Sequence, residues 1–338
     1  MTGVVALILT AVALPPLLSR LTGGHAPRPG PQLAALATVA TLPATAAVAV
    51  AAFSAWWLAL LLAIPAAILL AWQLPPRGPG GRRAAAARPP GPGPTAVTVR
   101  VLTLNARGGW ADPAALLSRI REHQVDVLAV QELTREMVGR LDQAGLASAL
   151  PYSHVDPRPD SPGVGLWARW PLAALPPVPG MEAAAPRAGA EPVPGHPVVL
   201  TAVHPAAPQL SRALLWQRDL TRLLPLAGTG EPQIVMGDFN ATRDHQAFRD
   251  LLDAGFVDCA DVARHRPWPG FTWPASWDVY SDRARQRFPD WPALPLMRLD
   301  HVLVTPAGTT VRQARPIRVP GTDHLAVLAV IEFSQPPS

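Results

Sequence analysis

The chain has 338 residues, 49% hydrophobic and 16% charged, with 42 prolines and a formal charge of +5. All 29 basic residues are arginine, and with the abundant Ala, Pro and Gly this follows base composition more than selection for a polyanion; a nucleic-acid groove would need the arginines on one face. The single cysteine, Cys259, excludes an intrachain disulfide framework and a cysteine-based zinc cluster, and reads as a small buried apolar residue.

Residues 1–74 have the composition of a membrane region. No charged residue occurs from Gln32 to Gln73, a helical run roughly twice what a ~30 Å hydrocarbon core requires. This predicts two transmembrane helices in a hairpin turning near Phe53 and Ser54, with Pro43 and Pro65 inside the spans and Trp56, Trp57 and Trp72 near the ends of the second. A shorter apolar run over 4–18, broken by Pro15 and Pro16, is a marginal third span or a signal-like segment. By the positive-inside rule the arginines at positions 20, 28, 77, 82, 83 and 88 lie in the cytoplasm with the downstream domain, in a multi-pass protein of the cell membrane; basic residues ahead of Val4 would reverse the side, which stays open. Residues 75–95, rich in Pro, Gly and Arg, read as a linker holding that domain off the bilayer.

From residue 96 to 338 strands and helices alternate. Strands are expected over 97–104, 125–130, 163–168, 198–203, 234–238, 298–305 and 325–333; Asp112 and Pro113 read as the N-cap and first turn of a helix with Leu116, Leu117 and Ile120 on one face, and further helices are expected over 134–146, 209–224 and 244–254. Residues 172–197 are proline-rich and unassigned, and 264–297 form an aromatic-rich loop.

The ends of these strands carry the chemistry. Ile234-Val235-Met236 run into Gly237, after which Asp238 and Asn240 stand one residue apart. Asp238 can accept a proton or orient water, and Asn240 can donate to an oxyanion. Other strands end in Asn105, Glu132 and His204; the 298–305 strand holds Asp300, and Asp323-His324 precede the last. Together these suit phosphate-ester cleavage. Glu132, with the neutral oxygen of Asn105, suits Mg²⁺; His324 can position or deprotonate water, or donate to phosphate, with its tautomer fixed by Asp300; His204 and Asn240 donate to non-bridging oxygens. Asp300 and His301 alternate along one strand, so His301 faces elsewhere.

The ordered segments Leu104-Asn105, Gln131-Glu132, His204, Gly237-Asp238-Phe239-Asn240, Leu299-Asp300-His301 and Thr322-Asp323-His324 resemble the motifs of the endonuclease/exonuclease/phosphatase superfamily, the deoxyribonuclease-like hydrolases. The resemblance spans 97–333 and implies an α+β fold, a four-layer αββα sandwich, with metal-dependent phosphoesterase chemistry. It assigns Asn105, Glu132 and Asp323 to the metal (Mg²⁺, with Mn²⁺ an alternative). It makes His204, Asp238, Asn240, Asp300 and His324 catalytic, and leaves one phosphate contact unplaced, with Arg169 as candidate. The expected function is a membrane-anchored phosphodiester hydrolase of nuclease-like type. Alternatives are a hydrolase of phospholipid or inositol-phosphate head groups and, in a different class, a silent membrane recruitment module. A nuclease groove would draw on Arg264, His265, Arg266, Arg283, Arg285 and Arg287, with Trp268, Trp273 and Trp277 for stacking.

Overall fold

Among the described residues the chain forms twelve strands: β1 (Ala96–Asn105), β2 (Val127–Gln131), β3 (Tyr152–Asp156), β4 (Val164–Ala168), β5 (Ala173–Leu175), β6 (Arg187–Ala190), β7 (Val198–Val203), β8 (Gln233–Asp238), β9 (Val257–Asp258), β10 (Asp300–Val304), β11 (Thr309–Ile317) and β12 (Ala326–Ser334). The structure, a computed structural model, describes residues 2–25, 29–53, 55–74, 96–159, 162–209, 211–263, 270–277, 291–306 and 308–334. The expected linker 75–95, the arginines at 28, 77, 82, 83 and 88, and the basic and aromatic positions 264–268 and 283–287 lie outside them.

The strands form two six-stranded sheets, ordered β11-β12-β1-β2-β4-β3 and β5-β6-β7-β8-β10-β9. Strands β2, β7 and β8 are buried throughout, which is why they read as unbroken apolar runs instead of alternating ones. Alternate side chains still part to two faces. Val127, Leu200, Ile234, Met236 and Val302 meet between the sheets. Leu104, Leu128 and Val130 turn outward onto Leu116, Ile120 and Met137 of helices α5 (Pro113–Glu122) and α6 (Arg135–Gln143). On the other outer face Val235 and Leu303 receive Trp216, Leu220, Phe248 and Leu251 from α7 (Ala213–Thr221) and α8 (Gln246–Ala254). Each such burial contributes about 1.5–3 kcal/mol. Asp112 caps α5 as expected, its Oδ1 accepting from the Ala114 and Ala115 N–H groups at 2.8 and 3.1 Å. The unassigned 172–197 stretch supplies the short strands β5 and β6.

Topology explains why polar residues far apart in sequence converge. β1 runs parallel to β2, and β7 to β8, so Asn105, Gln131-Glu132, His204 and Asp238 leave their sheets at one edge. β12 and β10 run antiparallel to β1 and β8, so they begin where the others end, bringing in His324 and pairing Asp300 with Asp238.

The first 74 residues build α1 (Thr2–Leu21), α2 (Gly30–Ala35), α3 (Ala37–Ala52) and α4 (Trp56–Gln73). α1 and α4 are long and apolar enough to cross a membrane by length and composition; α3 is apolar but shorter. The turn between α3 and α4 falls at Phe53, as expected. The marginal run over 4–18 is instead part of a continuous helix with Pro15 and Pro16 inside it. The two adjacent prolines forfeit neighbouring hydrogen bonds at a single place, while their fixed φ remains helical. Packing within this bundle uses small residues, Ala13, Ala37, Ala40, Ala44 and Ala66 among them, while Leu7, Ile8, Val12, Leu60, Leu61 and Ile64 face outward.

The two-sheet domain touches the helix ends directly. Asp244 pairs with Arg20 and accepts from Thr38 Oγ1 at 2.8 Å; Gln246 N–H donates to Gly23 O at 2.9 Å; and Gln32 donates to Pro208 O. His245 is buried, its Nδ1 accepting from Thr242 N–H at 2.9 Å and its Nε2–H donating to Pro31 O at 2.7 Å.

Candidate active site

One carboxylate oxygen is the hub of the edge. Asp238 Oδ2 accepts from Asn105 Nδ2 at 2.9 Å and lies 3.7 Å from His204 Nε2 and 3.8 Å from His324 Nε2. Its other oxygen accepts from Asn240 N–H at 2.8 Å, tying the turn after β8 to the strand end. Gly237 makes this approach possible, because a Cβ there would stand 1.9 Å from Val203 O on the neighbouring strand. Asn240 in turn donates Nδ2 to Pro205 O at 3.0 Å, which fixes the loop leaving His204.

On the other sheet, Asn105 Nδ2 also donates to Glu132 Oε1 at 3.1 Å, and Glu132 Oε2 accepts from Gly108 N–H at 2.7 Å. A single amide thus straddles two carboxylates. Glu132 and Asn240 both hold positive φ, 53° and 49°, although neither is glycine. Such backbone is uphill for side chains with a Cβ and gathers where geometry serves function.

Asp300 Oδ2 receives His324 Nδ1–H at 2.9 Å. Burial works against the imidazolium, but the negative charges of Asp300 and Asp238 outweigh it and raise His324 to about 10. Burial also pushes Asp300 upward, with Asp238 adding and His324 opposing. Thr272 Oγ1 accepts from the Asp300 N–H at 3.3 Å, and Thr322 Oγ1 accepts from the His324 N–H at 3.2 Å while donating to Asn105 O at 2.7 Å. These threonines frame the pair.

Asp323 sits at the margin. It takes the Trp273 indole N–H at 3.2 Å and stands 3.7 Å from Arg107 Nε. Arg107, beside Asp323, is a cation that sequence reasoning passed over; its position two residues after Asn105 was the available signal. Arg169, the candidate phosphate contact, is misplaced: it pairs with Asp126 at 3.1 Å and donates to Val125 O at 3.3 Å, where β2 begins, at the opposite end of the sheet. His301 faces away as expected, held by Asp258 at 2.8 Å, with Nε2 2.9 Å from Ala241 O below the Asn240 turn.

Glu132, Asn105 and Asp238 offer hard oxygen donors, and the gathering of two carboxylates about one amide is where a divalent cation fits once the amide turns its oxygen inward. Asp238, Asp300 and His324 also bring ligand atoms within 4.8 Å of one another. In that set Asp300 Oδ2 and His324 Nδ1 are already taken up by each other at 2.9 Å.

A family model described as the endonuclease/exonuclease/phosphatase family matches residues 102–324. The chain belongs to that family. Among solved structures, this family member is similar to D. rerio TDP2 complexed with single strand DNA product, at 17% identity and a TM-score of 0.53, covering 69% of this chain and 98% of that one. It also resembles a functionally unknown conserved protein from Enterococcus faecalis V583, at 17% identity and a TM-score of 0.52, covering 70% of this chain and 100% of that one. A third similarity is to the human Nocturnin catalytic domain with bound sulfate anion, at 16% identity and a TM-score of 0.50, covering 71% and 97%. At these identities the likeness speaks for the family's mixed α+β, two-sheet fold. No curated protein sequence matches the chain.

Proposed function

We propose that this chain is a divalent-metal-dependent phosphoesterase that hydrolyses phosphodiester bonds and is anchored in a membrane by its N-terminal helices. The observation that carries it is the hub at Asp238 Oδ2, with Asn105 at 2.9 Å and the imidazoles of His204 and His324 at 3.7 and 3.8 Å. Glu132 and Asn105, with Asp323 at the margin, would hold the cation, Mg²⁺ by donor type; when bound it neutralises phosphate charge and stabilises the leaving oxygen. Asp238 orients the attacking water and takes its proton as the oxygen bonds to phosphorus. His204 and Asn240 donate to non-bridging oxygens, and His324, steadied by Asp300, donates through Nε2 to a phosphate oxygen. The ester P–O bond breaks, and the leaving oxygen is protonated from solvent.

Anchoring is supported by the inside-out bundle, with alanines within and Leu, Ile and Val outside, a pattern suited to lipid and costly in water. A nuclease-like substrate is supported by the likeness to a neighbour described in complex with a single strand DNA product. A lipid or inositol-phosphate head group is a second reading, favoured by the helix-end contacts of the loops that follow His204 and Asn240, through Pro208, Asp244 and His245.

The test is hydrolysis of bis(p-nitrophenyl) phosphate by the full chain, expected to be abolished by EDTA, restored by Mg²⁺ and absent from Glu132→Ala. Equal activity in wild type and Glu132→Ala would defeat the reading. Parallel assays on plasmid DNA and phospholipid vesicles separate the two substrates.

A further inference from the structure

Around Asn240, peptide units are gripped by side chains at both of their polar ends. The peptide that enters Asn240 gives its N–H to Asp238 Oδ1 at 2.8 Å, and its carbonyl, Phe239 O, receives the Trp216 indole N–H at 3.3 Å. The peptide that follows Ala241 gives the Thr242 N–H to His245 Nδ1 at 2.9 Å, and Ala241 O faces His301 Nε2 at 2.9 Å. A further one lies on the loop leaving His204. Its carbonyl, Pro205 O, receives Asn240 Nδ2 at 3.0 Å, and its N–H, that of Ala206, donates to Asp219 Oδ2 at 3.2 Å.

Trp216 and Asp219 stand one turn apart on α7, so one face of that helix reaches both loops, and both side chains are buried. Asp219 is the telling one. Its Oδ1 makes no hydrogen bond among the described residues, so a carboxylate has been taken out of water for a single N–H. Such burial is costly, and an apolar residue would pack α7 without it. The contact has a directional result. With the Ala206 N–H held by Asp219, the carbonyl on the other side of the same peptide points at Asn240. A carbonyl only accepts, so the Asn240 amide turns its NH₂ toward Pro205 and directs its second N–H elsewhere.

We propose that Asp219 is a positioning residue for the hydrolysis: through the peptide between Pro205 and Ala206 it fixes the Asn240 amide with one N–H on Pro205 O and the other presented to a non-bridging phosphate oxygen. Trp216 fixes the peptide on which Asn240 stands. Neither side chain touches phosphate; both act through Asn240. The role rests on the hydrolytic reading of the site.

Asparagine occurs twice in the chain, at 105 and 240, so the solubilised full chain grown with nitrogen-labelled asparagine gives two side-chain amide signals by NMR, assigned with Asn240→Ala. In Asp219→Leu the Asn240 signal is expected to shift while that of Asn105 stays in place. An unmoved Asn240 signal, or equal shifts at both, overturns the proposal whether or not the chain hydrolyses a diester. Kinetics on bis(p-nitrophenyl) phosphate complete the test. Asp219→Leu should lower kcat about 10-fold or more, short of the roughly 10²–10³-fold that removing such a donor outright costs, with the Mg²⁺ midpoint unchanged. Asp219→Asn keeps an oxygen for the Ala206 N–H and should recover most of kcat. In an Asn240→Ala background Asp219→Leu should have no further effect, because a residue acting through Asn240 then has nothing to position. The same fold-loss in both backgrounds, or an Asp219→Asn as impaired as Asp219→Leu, overturns the proposal. Should Asp219→Leu not fold, Trp216→Phe, which keeps a ring but lacks the donor to Phe239 O, is held to the same amide shift and the same dependence on Asn240. A wild type without hydrolysis defeats the reading on which the role rests, and is told apart by an Asn240 signal that still moves.

Discussion

Acidification should loosen the junction between the helices and the catalytic domain, through His245. Its Nδ1 accepts from Thr242 N–H at 2.9 Å while its Nε2–H donates to Pro31 O at 2.7 Å, an arrangement that only neutral imidazole can make. Burial lowers its pKa from 6.5 to about 4. Between those values the unfolded chain binds a proton that the folded chain refuses, so the contribution is whole above pH 6.5, declines as pH falls and levels off below about 4. At 1.36 kcal/mol per unit the full loss is about 3 kcal/mol, of which about 2.5 kcal/mol is gone by pH 4.5. The assay is thermal unfolding of the solubilised full chain at pH 7.5 and 4.5, for wild type and His245→Gln. Wild type should be the more stable at pH 7.5, and the gap should narrow by about 2.5 kcal/mol at pH 4.5. Parallel pH slopes for the two proteins would refute the argument.

Glu132→Gln should weaken metal-stimulated hydrolysis by more than the roughly 10–100-fold that outer partners of a metal site cost, with an unchanged circular dichroism spectrum; retained Mg²⁺ stimulation would show that Glu132 is only a cap for Gly108. Asp300→Asn should lower kcat about 10²–10⁴-fold while leaving the Mg²⁺ midpoint in place, and a shifted midpoint with normal kcat would place Asp300 on the metal instead. Gly237→Ala should destabilise the domain by more than about 2 kcal/mol in urea unfolding, because its Cβ would meet Val203 O at 1.9 Å. Asp244→Ala leaves Arg20 without its carboxylate partner and should cost about 3–5 kcal/mol at the junction, read as a lower unfolding midpoint of the solubilised full chain; an unchanged midpoint would mean the contact is dispensable.

The gathering of polar residues at one edge was legible in sequence because parallel strands end in the residues they deliver. Asn105, Glu132, His204 and Asp238 follow apolar runs, and a run terminated by a polar group carries its own address. The Asp300–His324 pair was legible for a related reason, since Asp300 opens one strand and His324 stands just before another. What stayed hidden depends on tertiary placement. Strands β3, β5 and β6 are short or half exposed, so neither alternation nor apolar content marks them. Arg169 follows a buried strand as Glu132 does, but β4 runs antiparallel to β2, and its end therefore lies at the opposite edge. The docking of Asp244 and His245 on the helix ends joins residues more than 200 positions apart, and nothing local in either stretch announces a partner.

The left-handed backbone at Glu132, with φ of 53°, sets two demands on that position against each other. Glycine would relax the same turn, but it would also remove the carboxylate that Gly108 N–H and Asn105 Nδ2 contact. Glu132→Gly therefore sets a gain in backbone freedom from strain against the loss of one of the two carboxylates that Asn105 bridges.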